Sequence, residues 1–180
     1  LFIGINWLVY IYAVQVAQIF QASLGYYINP LLLVLVGVLF FGEKLAGLQL
    51  AAVIAATIGV TVLTISGGEL PWISLVLAVS FTIYGVLRKQ VEVGGMPGLF
   101  VETVLLLPFA LAWVAYIHIQ GTNLWLETET SVSLLLMLAG PLTVIPLLGF
   151  ALAARRLRLS TLGFMQFIAP TMQFGIGVLS

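Results

Sequence analysis

Charged residues fall in short clusters that separate long apolar runs. Asp, Glu, Lys and Arg are absent from six stretches, which are 1–42, 45–68, 70–87, 103–126, 130–154 and 159–180. A helix needs about 20 apolar residues to cross the hydrocarbon core of a bilayer. The first stretch is long enough for two such helices, with a polar break around Gln15, Gln18 and Gln21, and each other stretch is long enough for one.

This pattern predicts an all-α, polytopic transmembrane helix bundle with seven spans. The predicted helices cover residues 1–19, 23–41, 47–66, 71–87, 98–118, 132–153 and 159–180. The connections are short and carry Gly, Pro or charge, so successive helices are expected to run antiparallel. The stripe of Ala51, Ala55 and Gly59 is typical of close packing between membrane helices.

Composition agrees with this prediction and narrows the functional classes. Of the 180 residues, 62% are hydrophobic and 7% are charged, the mean hydropathy is +1.23 and the net charge is zero. A soluble domain carries about 25% charged residues, so the expected surroundings are a lipid bilayer. Nucleic-acid binding is not expected, because no basic stripe is present to contact phosphates. Cysteine is absent, which excludes disulfides and Cys-ligated zinc, and no cofactor or metal is expected.

The basic residues indicate how the spans are oriented. All of them fall in three loops that seven spans would place on the same side, namely Lys44, Arg88, Lys89, Arg155, Arg156 and Arg158. Because basic loops remain on the cytoplasmic side, we expect this side to be cytoplasmic. The chain begins and stops inside apolar runs, so we expect it to be part of a longer membrane protein.

Two apolar segments, 23–39 and 161–179, resemble each other. Aligned on Pro30 and Pro170, both have Ile two residues before the proline and Gly-Val-Leu seven residues after it. The two predicted helices are five spans apart and would cross the membrane in opposite directions. A repeat whose copies are an odd number of spans apart is typical of inverted-topology transporters, whose substrate sites lie near the midplane of the membrane.

Polar and aromatic residues within the spans are candidates for a substrate cavity. These candidates are Asn6, Trp7, Tyr10, Tyr27, Asn29, Pro30, Tyr84, Gln166, Pro170 and Gln173. Gln166 and Gln173 are seven residues apart and share a helix face. Each candidate also has a structural interpretation, since asparagines can connect helices or cap a break and tyrosines can simply pack.

Glu102 is the acidic residue predicted to lie inside a span, near the end of its helix. Such a carboxylate often marks a proton path, so Glu102 is the candidate for proton coupling. The alternative is an interfacial carboxylate that pairs with Arg88 or Lys89.

Catalysis is not expected, because the sequence has one His, no Asp, and neither a nucleophile elbow nor a phosphate loop. The favoured function is a secondary transporter that works by alternating access. A non-transporting membrane scaffold or assembly subunit is the alternative, although it would not explain the repeat. A passive channel would more often show a repeated polar filter segment.

Several sequence blocks resemble the RarD-type permeases, EamA-like members of the drug/metabolite transporter superfamily. The blocks are Asn6-Trp7, Ala22–Pro30, Phe41–Lys44, Tyr84-Gly85, Leu87–Lys89, Glu102-Thr103, Leu107-Pro108 and Arg156–Phe164. The resemblance covers essentially the whole chain and implies two inverted five-helix repeats, of which residues 1–66 would complete the first and 67–180 begin the second. It further implies a permease of a small metabolite or drug-like molecule in the bacterial inner membrane, and it leaves a homodimer open.

Overall fold

The computed structural model describes residues 2–68, 71–120 and 130–172, with the backbone alone at residues 130 and 131. Every regular element in these residues is helical. The helices are α1 (Phe2–Gln15), α2 (Ile19–Phe41), α3 (Gly47–Ser66), α4 (Trp72–Gln90), α5 (Gly95–Ile119), α6 (Thr130–Arg156) and α7 (Leu159–Gln166). Residue Phe167 forms a turn after α7, and residues 168–172 are again helical.

The structure confirms a helical membrane bundle. Among the described residues, five helices are long and apolar enough to cross a bilayer, namely α2 to α6. The first helix is apolar but only 14 residues long. The predicted break between the first two helices is found, but it lies earlier than predicted, since α1 ends at Gln15 instead of residue 19 and α2 begins at Ile19 instead of residue 23.

Two residues in left-handed conformation mark the ends of α2. Ala17 has a φ of 57° in the turn that precedes the helix, where the Gln18 N–H donates to the Ala13 carbonyl at 2.8 Å. Gly42 has a φ of 63° at the other end, which a residue without Cβ adopts at no steric cost. The chain therefore turns sharply both before and after this helix.

The chain divides into two compact units. One contains α5 and α6 as far as Ala153, and in it Gly95 lies against Leu148 and Leu152, its would-be Cβ 3.0 Å from Leu152 Cδ2. The other contains α1 to α4 together with α7. Its buried core includes Leu33, Ile73 and Leu159, all at most 1% exposed.

Helix α2 is the centre of the second unit. It packs against α1, α3, α4 and α7, and ten of its residues are buried. Helix α4 runs parallel to α2, because Gln21 meets Ser74 and Asn29 meets Thr82. Helix α7 and the turns after it run antiparallel to α2, because Asn29 contacts Gln166 while the earlier Tyr27 contacts the later Pro170.

Helix α3 is the exposed member of this unit, since none of its residues is buried. The predicted packing stripe of Ala51, Ala55 and Gly59 is exposed, and a Cβ on Gly59 would have no atom within 4 Å. Close packing on this face therefore stays a prediction.

Candidate functional site

A buried polar cluster lies at the middle of the α2–α4–α7 core. The Asn29 amide donates to Gln166 Oε1 at 2.7 Å, and the Thr82 hydroxyl donates to Asn29 Oδ1 at 3.1 Å. Asn29 is 7% exposed and Thr82 is 5% exposed. Asn29 follows Ile19 by ten residues and precedes Phe41 by twelve, so it lies near half the length of its helix. Three helices thus place polar groups together at mid-depth.

Two prolines flank this cluster. Pro30 is buried inside α2, and a proline there leaves the carbonyl one turn earlier without its usual N–H partner. Pro170 is also buried, and its carbonyl accepts the Tyr27 hydroxyl at 3.3 Å. The two helices approach closely here, because a Cβ on Gly163 would lie only 2.7 Å from the Pro30 carbonyl oxygen. Polar backbone carbonyls and polar side chains therefore lie close together where α2 crosses α7 and the segment after it.

Asn6 forms a second polar contact, between α1 and α4. Its amide donates to the Leu77 carbonyl at 2.9 Å and to the Ser80 hydroxyl at 3.0 Å. This geometry fits the interhelical role that was one of the two interpretations of Asn6. It places Asn6 against the Leu77–Ser80 turn of α4, whereas Asn29 meets Thr82.

The candidate aromatic residues occupy three different places. Tyr10 and Tyr26 stack edge-on at 6.0 Å between centroids, and both are partly exposed. Trp7 is 40% exposed on α1. Tyr27 contacts the segment after α7, and Tyr84 is 2% exposed within α4. The structure therefore brings Tyr27 to the Asn29 cluster and leaves the others apart from it.

Tyr84 is paired with a buried arginine. Arg88 Nε donates to the Tyr84 hydroxyl at 3.0 Å, and the guanidinium carbon lies 5.2 Å from the centroid of the ring. Sequence reasoning placed Arg88 in a loop, but α4 continues to Gln90 and buries this residue to 7% exposure. A helix that long allows the guanidinium to fold back onto its own helix, one turn earlier.

The remaining candidates lie outside this cluster. Glu102 is half-buried in α5 and follows Gly95 by seven residues, so it lies about two turns into its helix. Gln173 lies outside the described residues.

Some functional candidates were missed by sequence reasoning. Thr82 was overlooked because one threonine in an apolar helix carries no signal of its own. Gln21 was treated only as a break, yet its carbonyl accepts the Ser74 hydroxyl at 2.6 Å and its side-chain oxygen accepts the Ile73 N–H at 3.3 Å. Sequence spacing alone does not show that Gln21 bonds to Ser74 and Ile73, or that Thr82 bonds to Asn29.

Glu43 was also treated only as loop punctuation. Its carboxylate accepts the Leu159 N–H at 2.8 Å, the Ser160 N–H at 2.8 Å and the Ser160 hydroxyl at 2.6 Å. Burial acts to raise the pKa of Glu43, but these three hydrogen bonds and the charge of Lys89 outweigh it and lower the pKa below its ordinary value of 4.5. The residue is thus held as a carboxylate at neutral pH.

Comparison with known proteins gives close sequence relatives. The RarD protein of Escherichia coli is 46% identical over 176 residues, which are 98% of this chain and 60% of that protein. The RarD protein of Streptomyces exfoliatus is 45% identical over 177 residues, 98% of this chain and 56% of the relative. An uncharacterised transporter of Pseudomonas aeruginosa is 46% identical over 172 residues, 96% of this chain and 58% of the relative.

These matches extend over nearly the whole chain, which spans about 60% of the length of the curated relatives. No family model matches the sequence, and no solved structure matches it. The apolar helices agree with the name of the Pseudomonas aeruginosa relative, which calls that protein a transporter. The chain is therefore a homologue of the RarD-type permeases over the part of them that it spans, and its apolar helices indicate a multi-pass membrane protein.

Proposed function

We propose that this chain forms the substrate path of a secondary transporter that moves a small metabolite or drug-like molecule by alternating access. The observation that supports this proposal is the Asn29–Gln166–Thr82 cluster, where antiparallel, proline-containing segments cross at mid-depth. Polar groups inside membrane helices are costly, so they tend to be kept where they contact a substrate or tie helices together. Broken helices at a repeat interface are the usual location of transporter binding sites.

In this proposal the chain contributes seven spans to a ten-helix protein made of two inverted five-helix repeats. Residues 1–66 complete the first repeat and 67–180 begin the second. The antiparallel arrangement of α2 and α7 supports the inverted relation, because Pro30 and Pro170 are equivalent in the two repeats. The loops that carry the basic residues face the cytoplasm, by the positive-inside rule.

The proposed cavity lies at this crossing and suits a small molecule that presents hydrogen-bonding groups. Of the sequence candidates, those that would line it are Tyr27, Asn29, Pro30, Gln166 and Pro170. Asn29 and Gln166 would exchange their mutual hydrogen bond for bonds to the substrate. Such an exchange costs little because each amide always keeps a partner. Tyr27 and the Pro170 carbonyl supply a further donor and acceptor beside them.

The substrate proposal is tested by comparing all metabolites of a strain that lacks the full-length gene with a strain that expresses it. We expect the two strains to differ in how one class of small polar metabolite is distributed between cells and medium. Asn29→Leu should abolish this difference. The matched control is Thr61→Val on α3, whose hydroxyl bonds within its own helix and whose loss should leave the metabolite profile as it was. Identical profiles in both strains would contradict transport and favour a scaffold.

Glu102 is proposed as the proton-coupling group. Replacing it by glutamine in the full-length protein should remove the pH dependence of flux of the metabolite found above. Glu92→Gln is the control, because Glu92 is an exposed acid on the same unit. A pH dependence that survives Glu102→Gln would show that coupling lies elsewhere.

A further inference from the structure

Glu43 connects the end of α2 to the beginning of α7. Both of its carboxylate oxygens accept hydrogen bonds from the first turn of α7, at distances of 2.6 to 2.8 Å. The residue before that turn, Arg158, gives no side-chain cap to the helix. Glu43 therefore satisfies N–H groups that α7 leaves open at its own N-terminus.

The surrounding backbone is shaped to receive this carboxylate. The Glu43 N–H donates to the Gly37 carbonyl at 3.0 Å, which turns the chain back over the last turn of α2. A Cβ on Gly37 would lie 2.7 Å from Glu43 Oε2 and 3.1 Å from the Ser160 nitrogen. Only a glycine leaves room for the carboxylate and the first turn of α7 together.

Lys89 adds a second connection at the same place. Its ammonium group donates to the Leu157 carbonyl at 2.5 Å and lies 5.9 Å from the centroid of the Phe41 ring. The ends of α2 and α4 and the start of α7 are thus joined by charged groups. We call Glu43, Lys89 and Ser160 the clasp.

The contact between α2 and α7 is graded along its length. At the clasp it consists of charge-assisted hydrogen bonds, which are about twice as strong as neutral ones. At mid-depth the contact consists of the neutral Asn29–Gln166 pair. Beyond that pair, the Tyr27 hydroxyl donates to the Pro170 carbonyl at 3.3 Å. The α2–α7 contact at the clasp end therefore depends on one carboxylate and its three hydrogen bonds.

The clasp also differs from the packing one turn away. Gly163 lies against the backbone of Pro30 and the side chain of Val34. Water cannot replace this packing contact when the two helices separate. Glu43 is half-exposed, so water can replace its hydrogen bonds when it moves off α7. A contact of this kind is suited to opening and closing, while the Gly163 contact is suited to a fixed pivot.

We propose that the clasp is a gate: it closes the α2–α7 contact at this end, and its release opens that end for access. This proposal rests on the proposed function for its role in transport, but its opening can be measured without any substrate. The pivot at Gly163 and the mid-depth amide pair would stay in contact while the clasp releases.

The test uses the full-length protein, purified in detergent, with one reporter cysteine. This chain has no cysteine, and cysteines elsewhere in the protein are first replaced. Leu159→Cys is the reporter, since Leu159 is 0% exposed and its backbone N–H is one of the groups that Glu43 binds. In the Glu43→Gln background we expect a water-soluble maleimide to react about three to thirty times faster, as loss of an N-terminal cap implies. Ser160→Ala, which removes one of the three bonds, should give a smaller increase.

Two controls separate gating from general loosening. Glu92→Gln changes the same chemical group at an exposed residue that is not part of the clasp, so it should leave the rate unchanged. A second reporter, Ala78→Cys, lies in the α4 core at 0% exposure and should stay unreactive in the Glu43→Gln background. An unchanged rate at Leu159→Cys would overturn the proposal, and so would an equal increase at Ala78→Cys. Both labelling rates can be measured even if the protein transports nothing, so a failure of the proposed function would not decide the outcome of this test.

Discussion

Helices α2 and α3 are similar in sequence character and opposite in role. Both are long and apolar enough to cross a bilayer, and they are neighbours along the chain. Ten residues of α2 are buried and none of α3 is. The difference lies in a few polar positions: α2 has Gln21 and Asn29, whose side chains bond to other helices, whereas the threonines of α3 bond to carbonyls of their own helix. In an apolar solvent, the partners of polar groups identify the interior better than hydrophobicity does.

The largest effect is expected from Gly163→Val, which attacks the closest approach to α2. The added side chain would meet the Pro30 carbonyl oxygen and the Val34 side chain within 3 Å, so the helices must separate. We expect a loss of about 3 kcal/mol of stability, at the upper end for overpacking. Thermal unfolding of the full-length protein in detergent measures it, and an unchanged Tm would contradict the central role of α2.

The next effect is expected from Asn29→Leu. The substitution keeps the branching at Cγ but leaves the Gln166 side-chain carbonyl and the Thr82 hydroxyl without their Asn29 partner in the core. The expected cost is about 2 kcal/mol, the penalty for buried polar groups left unpaired. Thr61→Val on α3 replaces a hydroxyl by a methyl group of similar size, and this variant should lose far less stability. If the two variants melt alike, polar pairing is not what distinguishes the helices.

A smaller, pH-dependent effect is expected at the end of α2. Because the pKa of Glu43 is lowered in the folded protein, its contribution is fully present above 4.5 and is lost as the pH falls through the lowered pKa. At pH 7 Glu43→Gln should therefore be less stable by about 1 kcal/mol, as for a lost helix cap. The Tm difference between the two proteins should shrink as the pH falls below 4.5. A gap that is equally large at low pH would contradict the hydrogen-bonded carboxylate.

The smallest effect is expected from Gly59→Val, the matched control for the first variant. A Cβ at Gly59 meets no atom within 4 Å, so the new side chain has space. We expect a change within about 0.5 kcal/mol, as for an ordinary surface position. A large loss of stability in the full-length protein would show that the small-residue stripe of α3 is covered by another helix.

Much of the fold followed from the sequence, because charges and glycines mark helix ends. From three glutamines, a break before α2 was predicted at residues 20–22, and it is found slightly earlier, at residues 16–18. Helix α3 was predicted to cover 47–66, and it begins and ends there. Helix α4 was predicted to end at Leu87, but Arg88 and Lys89 extend it, since long cationic side chains can bond back to the protein near a membrane surface.

The candidate site was predictable only in part. Asn29, Gln166 and Pro170 stood out because polar residues and prolines are rare in apolar spans, and the structure places them together. Their partner Thr82 and the carboxylate of Glu43 could not be assigned, because their roles depend on which helices are neighbours. Pairing across more than 50 residues is a property of the packed bundle and leaves no periodicity in the sequence.

The pairing of Asn29 also has a consequence for how the protein is made. Its partners are Thr82 and Gln166, which follow it by 53 and 137 residues. At roughly 5–20 residues per second, the ribosome needs roughly 7–27 s to reach Gln166 after Asn29 has been synthesised. Until then the NH2 group of Asn29 has no permanent acceptor in the membrane, although Thr82 can bond to its side-chain oxygen earlier. The insertion machinery, or a temporary neighbour, must shelter this helix until the second proline-containing segment arrives.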